Sequence, residues 1–221
     1  TLAAIDIGTN AIRLFISNVE EYPTETLFKK IAFLRVPIRL GEDVFTTGEI
    51  GQQKRKRLCE TMQGFSYIMS AFNVESYKAY ATCAMREARN GKSVAEQIQK
   101  ECDLNIEITS GTKEAETIFA GGMNEVVDDD KTYLYVDVGG GSTEVIVYSK
   151  SVKIEACSFP LGTVRMLNDA VDKEEMKHFK KWLKNITEKY TPDAIIGSGG
   201  NINKIHKLLN KKERERITYQ E

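Results

Sequence analysis

Apolar and polar residues alternate along two stretches of the chain, and glycine interrupts the alternation in both. Tyr133–Tyr148 contains an apolar run that ends at Asp137, then a turn of three glycines and a second alternating run. Ala3–Ser17 has the same order, with Asp6 ending the first run and Gly8 in the turn. Alternation with a period of two predicts β-strands, and glycine-rich turns between such runs predict antiparallel hairpins. The sequence therefore predicts two hairpins of the same design.

The two hairpins align with each other as an internal repeat. Placing Asp6 on Asp137 also places Arg13 on Glu144 and matches the apolar run that follows each turn. A repeat at the scale of half the molecule predicts two related lobes rather than a short solenoid repeat. Ligands commonly bind in a cleft between two such lobes. The repeat therefore predicts a two-lobed protein with a ligand cleft between the lobes.

The rest of the chain alternates strand-like and helix-like segments, which is typical of an α/β fold. Further strands are predicted at residues 25–36, 76–81, 105–109, 152–158 and 192–196. Helices are predicted at residues 47–72, 82–89, 91–102, 173–190 and 202–210, and residues 39–43 are predicted to form a polar loop. The first of these helices has an apolar face of core residues at Leu58, Met62, Phe65, Ile68, Met69 and Phe72. We place the boundary close to the polar turn at residues 128–131, with one lobe at residues 1–125 and the other at 126–221.

Composition and charge exclude several classes of partner. The 221 residues are 41% hydrophobic and 29% charged, which is ordinary for a globular protein. The net charge of −1 gives no bulk electrostatic case for binding nucleic acid or a membrane, and no apolar run reaches the roughly 18 residues that a membrane span needs. The first residues enter a strand without a basic leader, so no signal peptide is expected. Cys59, Cys83, Cys102 and Cys157 form no Cys-x-x-Cys pair, which favours free thiols in a reducing cytoplasm.

Candidate chemistry lies at three strand ends that are rich in small residues: Asp6–Asn10, Asp137–Thr143 and Gly197–Asn201. Glycine lets backbone N–H groups approach an anion closely, and Asp137 and Glu144 supply the hard oxygen ligands that Mg²⁺ prefers. No Gly-x-Gly-x-x-Gly opens a helix after the first strand and no Gly-Lys-Ser/Thr occurs, so the pattern is neither a Rossmann fingerprint nor a Walker A loop. The three turns therefore indicate a phosphate site with a metal ion.

Two further charged residues have both a structural and a functional interpretation. Arg86 and Arg89 lie one turn apart on the helix predicted at residues 82–89, so they form either a solvated pair or a contact to phosphate at the cleft. Glu114 follows Ser110 in the first turn of another predicted helix, where an acid often only stabilises the helix dipole. The sequence pattern alone leaves both alternatives open.

Seven segments carry the motifs, in the order Ala4–Leu14, Arg39–Glu42, Ala81–Asn90, Ser110–Ala115, Val136–Glu144, Leu161–Arg165 and Ile196–Asn201. Together they resemble the exopolyphosphatase / guanosine pentaphosphate phosphatase (Ppx/GppA) family, within the superfamily of actin, sugar kinases and heat-shock-chaperone ATPases. The most specific parts are the Asp-x-Gly-Gly-Gly-Ser-Thr-Glu hairpin and the Ser-Gly-x-x-Glu-Ala segment. The resemblance covers nearly the whole chain.

The resemblance implies two ribonuclease-H-like lobes of the actin-like ATPase type, each with a mixed sheet flanked by helices, around a phosphate cleft. It implies that Glu114 activates water as general base and that Arg86 holds the chain of phosphates. It implies Mg²⁺ as cofactor, with Asp137 and Glu144 as ligands and Asp6 in support. The phosphate-binding residues that it implies are Gly8, Thr9, Asn10, Gly139, Gly140, Gly141, Ser142, Thr143, Gly199, Gly200 and Asn201.

The expected activity is Mg²⁺-dependent hydrolysis of a terminal phosphoanhydride in inorganic polyphosphate or guanosine pentaphosphate, which the motifs do not separate. The alternatives are an ATP-dependent sugar or acetate-type kinase of the same superfamily, and a nucleotide or alarmone sensor without catalysis. Family members often pair, so a homodimer is expected, with no interface identifiable in the sequence. Two features depart from the family: Glu116 stands where arginine is usual, and members continue beyond the position of Glu221. The second lobe is therefore expected to be incomplete.

Overall fold

The computed structural model of the protein describes residues 1–23, 26–111, 113–114, 117, 130–150, 152–212, 215–218 and 220. The chain divides into two compact units, Thr1–Ser110 and Gly111–Glu221. The boundary predicted between residues 125 and 126 lies outside the described residues, so it stays a prediction. Every helix in the described part of the chain is too short or too polar to cross a membrane.

The first unit contains a mixed five-stranded sheet in the order β3-β2-β1-β4-β5. Its strands are β1 (Leu2–Ile7), β2 (Ile12–Glu21), β3 (Thr26–Val36), β4 (Ser76–Ala81) and β5 (Glu107–Ile108). Strands β1, β2 and β3 pair antiparallel, whereas β4 pairs in parallel with both β1 and β5. Its helices are α1 (Leu40–Thr47), α2 (Gln52–Ala71), α3 (Cys83–Glu87) and α4 (Gly91–Cys102).

One apolar cluster joins a single face of this sheet to helices α2 and α4. The alternate side chains of β1 and β2 on that face are almost fully buried, as the period of two predicts: Ile5, Ile7, Ile12, Leu14 and Ile16. Most of the predicted apolar face of α2 is buried as well, at Leu58, Met62, Phe65 and Met69, and Ile68 packs against it. Phe72 lies past the end of α2 and is 43% exposed. The helical pattern is therefore confirmed up to the last turn.

Residues 39–43 do not form the predicted polar loop, because helix α1 begins at Leu40. Leu40 and Val44 lie one helical turn apart, and both are buried in the core of the first unit. Two apolar residues are too few to show a helical period in the sequence, but their burial stabilises the helix. Gly48 ends α1 with a φ of 81° and donates its N–H to the carbonyl of Val44 at 3.0 Å. Thr47 therefore ends one helix instead of capping the next, which begins at Gln52.

The second unit contains a mixed four-stranded sheet in the order β8-β7-β6-β9. Its strands are β6 (Thr132–Val138), β7 (Thr143–Ser149), β8 (Val152–Phe159) and β9 (Ala194–Ser198). Beyond residue 130, its helices are α5 (Thr163–Leu167), α6 (Lys173–Tyr190) and α7 (Gly199–Leu208). The predicted loop at residues 197–201 is wrong, because β9 passes directly into α7. Gly199 makes this change of direction with a φ of 90°, which a residue with a β-carbon rarely adopts.

The internal repeat is visible in the register of both sheets. Strand order β3-β2-β1-β4 corresponds to β8-β7-β6-β9. Asp6 lies opposite Arg13, and Asp137 lies opposite Glu144. The pairing of β2 with β3 shifts register after Ile16, and the pairing of β7 with β8 shifts at the equivalent position. The predicted repeat is therefore confirmed down to single residues, including the position of an irregularity.

Candidate active site

Both hairpins close their turns with the same hydrogen bond. The N–H of Gly8 donates to the carbonyl of Ala11 at 3.1 Å, and the N–H of Gly139 donates to the carbonyl of Ser142 at 2.9 Å. A β-carbon at Gly8 or Gly139 would lie 3.1 Å from that same carbonyl oxygen, which is unusually close. These two glycines therefore permit the tight turn itself, before any ligand is considered.

In the first unit, the chain that follows β3 contacts the turn of the first hairpin. The N–H of Arg39 donates to the carbonyl of Asn10 at 2.9 Å, and the N–H of Gly41 donates to the carbonyl of Thr9 at 3.0 Å. A β-carbon on Gly41 would collide with the Thr9 side chain. The Arg39–Glu42 segment therefore supports the turn through its backbone, and Thr9 is buried beneath it, with 5% of its surface exposed.

In the second unit, the start of α5 contacts the turn of the second hairpin in the same way. The N–H groups of Thr163 and Val164 donate to the carbonyls of Gly139 and Gly140, at 3.0 and 2.8 Å. A β-carbon on Gly162, the residue before α5, would collide with the peptide bond that follows Gly140. Helix α5 therefore packs directly on the backbone of the glycine turn.

The two acids predicted to bind a metal lie side by side in the second unit. Asp137 and Glu144 are paired across β6 and β7, so their side chains leave the same face of the sheet. Glu144 is 2% exposed, and Ser158 on β8 donates its hydroxyl to the Glu144 carboxylate at 2.9 Å. Burial raises the pKa of the Tyr135 phenol on this face, and the hydrogen bond with Ser198 opposes the shift. At the end of the sheet that leads into the glycine turn, this face is therefore acidic, with Glu144 buried and Asp137 half-buried.

The third glycine segment reaches the same edge of the second sheet. The side-chain amide of Asn201 donates to the carbonyl of Val138 at 2.6 Å, next to the start of the glycine turn. A β-carbon on Gly199 would collide with the Asp137 carboxylate. The second unit thus brings together the turn at residues 139–142, both acids and the start of α7 at Gly199–Asn201.

The equivalent face of the first unit carries a different charge pattern. Asp6 forms an ion pair with Arg13, directly opposite it on β2, and Arg35 of β3 lies opposite Arg13 in turn. Burial raises the pKa of the Asp6 carboxyl, and the neighbouring Arg13 guanidinium opposes this effect. The positions held by Asp137 and Glu144 in the second unit are therefore held by an acid and a base in the first.

Arg86 and Arg89 do not form the pair predicted on one helix. Helix α3 ends at Glu87, and Arg89 lies beyond it, where its guanidinium donates to the carbonyl of Thr47 at 2.9 Å. Arg86 remains on α3 and donates to the carbonyl of Thr109 at 2.8 Å. Arg86 therefore ties α3 to the chain that leaves β5. Further along this chain, Glu114 itself is helical and half-buried.

The donor set fits a hard divalent cation. Mg²⁺ is usually bound through one or two carboxylates, with phosphate oxygens and water completing the shell. Asp137 and Glu144 are such a pair, and the N–H groups of the glycine turn lie at the end of the same two strands. Across the described ranges, no group of three or more His, Cys, Asp or Glu side chains could hold a metal ion.

Some predicted phosphate ligands are used within the protein, and two neighbours of the site were missed. The Thr143 hydroxyl donates to the carbonyl of Leu161, so it serves the packing of the turn. Arg165 donates through Nε to the carbonyl of Gly141 at 2.9 Å and is only 9% exposed. An arginine near a helix start resembles a surface residue in sequence, and Ser158 is recognisable only from its register with Glu144.

Comparison with known proteins identifies the family of this chain. The model of the Ppx/GppA phosphatase family matches residues 17–219. The bifunctional 3-dehydroquinate synthase/phosphatase of Fusobacterium nucleatum is 31% identical over 168 residues, which is 74% of this chain and 25% of that protein. Exopolyphosphatase 1 of Mycobacterium tuberculosis is 24% identical over 225 residues, which is 94% of this chain and 63% of that protein. The chain thus spans a quarter to under two thirds of these relatives.

Solved structures match nearly the whole chain. The crystal structure of an exopolyphosphatase from Cytophaga hutchinsonii superposes with a TM-score of 0.84 at 25% identity, over 99% of this chain and 73% of that one. A Ppx/GppA protein of Aquifex aeolicus gives a TM-score of 0.75 at 26% identity, over 97% and 71%. A Bacteroides thetaiotaomicron protein with an actin-like ATPase fold, 9% identical, gives a TM-score of 0.52 over 95% and 88%. The predicted actin-like ATPase fold is therefore confirmed.

Proposed function

Because the chain belongs to the Ppx/GppA phosphatase family, we propose that it hydrolyses a terminal phosphoanhydride bond. The observation that carries the proposal is the pairing of Asp137 with Glu144 beside a glycine turn. The backbone of α5 donates hydrogen bonds to the carbonyls of that turn. Adjacent carboxylates can bind a metal ion, and backbone amides can bind phosphate oxygens. Together they suit a phosphate chain whose charge is offset by a metal ion. The repeated turn at residues 8–11 supplies a second set of amides of the same design.

The substrate class is a chain of phosphates, either inorganic polyphosphate or guanosine pentaphosphate. Both end in a phosphoanhydride, so the same site chemistry serves either one. Relatives named exopolyphosphatase, from Mycobacterium tuberculosis and Cytophaga hutchinsonii, favour polyphosphate. The near-neutral pI of about 6.2 gives no general attraction to long polyanions, so binding depends on local groups.

In this proposal each residue has a defined task. The amides of the glycine turn at residues 139–142 hold the terminal phosphates. Arg86 is the positive charge that the family resemblance assigns to the phosphate chain. Glu114 orients a water molecule in line with the terminal phosphorus and accepts its proton. When Mg²⁺ is bound by Asp137 and Glu144, it offsets the negative charge that develops on the phosphoryl oxygens. Ser158 holds the Glu144 carboxylate in place through its hydrogen bond.

The test is phosphate release by the full-length protein from polyphosphate and from guanosine pentaphosphate, each with and without Mg²⁺. We expect release from at least one substrate, and only with the cation. Tight binding without release would favour a sensor and contradict the proposal. Transfer of labelled phosphate from ATP to a sugar or to acetate would favour a kinase instead. Water labelled with ¹⁸O should deliver its oxygen to the released phosphate.

A further inference from the structure

We propose that Arg165 is a positioning residue that directs the backbone amides of Gly140, Gly141 and Ser142 towards the phosphate chain. The inference rests on the function proposed above, since it concerns how the same site holds phosphate. Arg165 itself lies on the other side of the turn, where it contacts a carbonyl of the protein.

The geometry starts from three carbonyl groups that point towards α5. The carbonyl of Gly139 accepts from Thr163 N–H, and that of Gly140 accepts from the N–H of Val164 and, at 3.2 Å, of Arg165. In a trans peptide, the C=O of one residue and the N–H of the next point in opposite directions. Fixing these carbonyls towards α5 therefore points the N–H groups of the following residues away from it.

The third carbonyl, that of Gly141, accepts its hydrogen bond from a side chain rather than from the backbone of α5. Helix α5 uses its first backbone amides on Gly139 and Gly140, and the carbonyl of Gly141 is reached by Nε of Arg165 at 2.9 Å. A hydrogen bond from a charged donor is stronger than one from a neutral donor, and Arg165 is buried, which strengthens it further. Arg165 therefore fixes the peptide that joins Gly141 to Ser142 and sets the direction of the Ser142 amide.

The amides that point away from α5 lack acceptors within the described ranges. No backbone carbonyl there accepts from the N–H of Gly140, Gly141 or Ser142. Gly141 and Ser142 are buried, and buried N–H groups are rarely left without a partner. Three successive amides on one side of a turn form a concave anion site, in which phosphate oxygens are suitable acceptors. The arrangement thus points to phosphate on the side opposite Arg165.

The test compares the full-length wild-type protein with Arg165→Met during titration with inorganic phosphate. With ¹⁵N-labelled glycine and serine, we expect phosphate to shift the amide signals of Gly140, Gly141 and Ser142 in the wild type. In Arg165→Met we expect affinity to fall by about tenfold, because a charge-assisted bond is lost. KM for the phosphate substrate should rise more than kcat falls, since the amides hold phosphate in both the ground state and the transition state.

Two further variants control for charge and folding. Arg216→Met removes the same charge from an exposed position of the second unit and should leave affinity unchanged. Arg165→Lys keeps the charge without Nε, and it should restore part of the affinity. A folded Arg165→Met with wild-type affinity would overturn the proposal, and so would wild-type amide signals that do not respond to phosphate. If Arg165→Met does not fold, the proposal is judged on the wild-type amide shifts and on the phosphate affinity of Arg165→Lys. It then requires that the amides respond to phosphate and that the lysine variant bind phosphate more weakly than the wild type.

The outcome is separable from that of the proposed function. If phosphate shifts these amides and Arg165→Met weakens that binding, but the protein releases no phosphate from either substrate, the hydrolase function fails and the role of Arg165 stands. If phosphate is released while these amides stay unmoved, the function stands and the role of Arg165 is refuted.

Discussion

Glu144 is almost fully enclosed, whereas its partner Asp137 on the neighbouring strand is half-buried. Burying a carboxylate is costly unless hydrogen bonds or a cation compensate it. The hydroxyl of Ser158 supplies one hydrogen bond to Glu144, and the proposed Mg²⁺ would supply the charge. The two acids thus differ in exposure: Glu144 is held by the sheet, and Asp137 is the more open to solvent and substrate.

At the same scale, Glu114→Gln tests the proposed general base. Glutamine has the same shape as glutamate but cannot accept the proton from water at neutral pH. We expect kcat for phosphate release to fall by about two to four orders of magnitude, with phosphate binding nearly unchanged. Rapid-quench assays and phosphate titration would measure the two effects. A variant that keeps a rate near that of the wild type would remove Glu114 from this role.

Cys59 gives a prediction about pH at the residue scale. Burial, with a smaller contribution from the negative charge of Glu101, raises the pKa of the Cys59 thiol from 9.0 to about 11. Because the folded state favours the neutral thiol, this contribution to stability is present below the unfolded pKa and is lost as pH rises through about 11. At pH near 8 the thiolate fraction should be about a hundredfold smaller than in the unfolded chain.

Alkylation by iodoacetamide, followed by mass spectrometry, checks this value. The peptide that contains Cys59 should react about a hundredfold more slowly in the native protein than in urea. Glu101→Gln should speed the native reaction, because it removes a negative charge that disfavours the thiolate. Equal rates in the native and unfolded protein would show that the thiol is not protected.

At the scale of elements, the contact between α5 and the second turn determines the shape of the site. Gly162 lies against the peptide that joins Gly140 to Gly141, and three carbonyls of the turn accept hydrogen bonds from α5. The sequence pattern predicted the hairpin, since alternation and glycine are local signals. It did not predict which helix packs on the turn, because these hydrogen bonds join residues 24 positions apart.

Gly162→Ala tests this contact. The added methyl group would collide with backbone atoms that cannot move without changing the turn, so we expect a loss of about 1–3 kcal/mol in the free energy of unfolding and weaker phosphate binding. Gly64→Ala is the matched control, because its β-carbon would meet open space within helix α2. That change should stabilise the protein by about 0.5–1 kcal/mol. Urea unfolding measures both free energies, and a Gly162→Ala protein as stable as the wild type would contradict the close contact.

Helix α1 illustrates the opposite case at this scale. Its segment looks polar in sequence, and only the burial of Leu40 and Val44 in the core reveals why it is helical. Helix α6, by contrast, begins and ends where the sequence pattern predicted, at Lys173 and Tyr190. Its length of 18 residues carries several helical periods, whereas α1 carries barely two. Long amphipathic elements are therefore predictable, and short ones depend on their surroundings.

At the scale of the whole molecule, two units share one topology but not one charge pattern. The register that places Glu144 opposite Asp137 places Arg13 opposite Asp6. The duplicated fold thus presents two acids on this face in the second unit. In the first unit it presents an acid whose negative charge is balanced by an arginine. We expect cation binding to depend mainly on the second unit, while the Asp6 carboxylate is already neutralised by Arg13.

Mg²⁺ titration of single variants checks this asymmetry. Asp137→Asn and Glu144→Gln should each weaken Mg²⁺ binding by about tenfold or more, since even the loss of an outer-shell group has effects of that size. Asp6→Asn should weaken it much less. Glu188→Gln, on the exposed surface of α6, serves as the control for the loss of a negative charge. An effect of Asp6→Asn as large as that of Asp137→Asn would show that both units bind the cation.

The sequence by itself determined the hairpins, the repeat and the family. These depend on local alternation, on glycine, and on an offset between two copies that can be read along the chain. Only the tertiary structure decided that Arg165 is buried against the glycine turn, that Thr143 serves the packing of that turn, and that residue 40 begins a helix. The physical reason is that burial and the direction of a hydrogen bond depend on distant segments, and no local pattern records them.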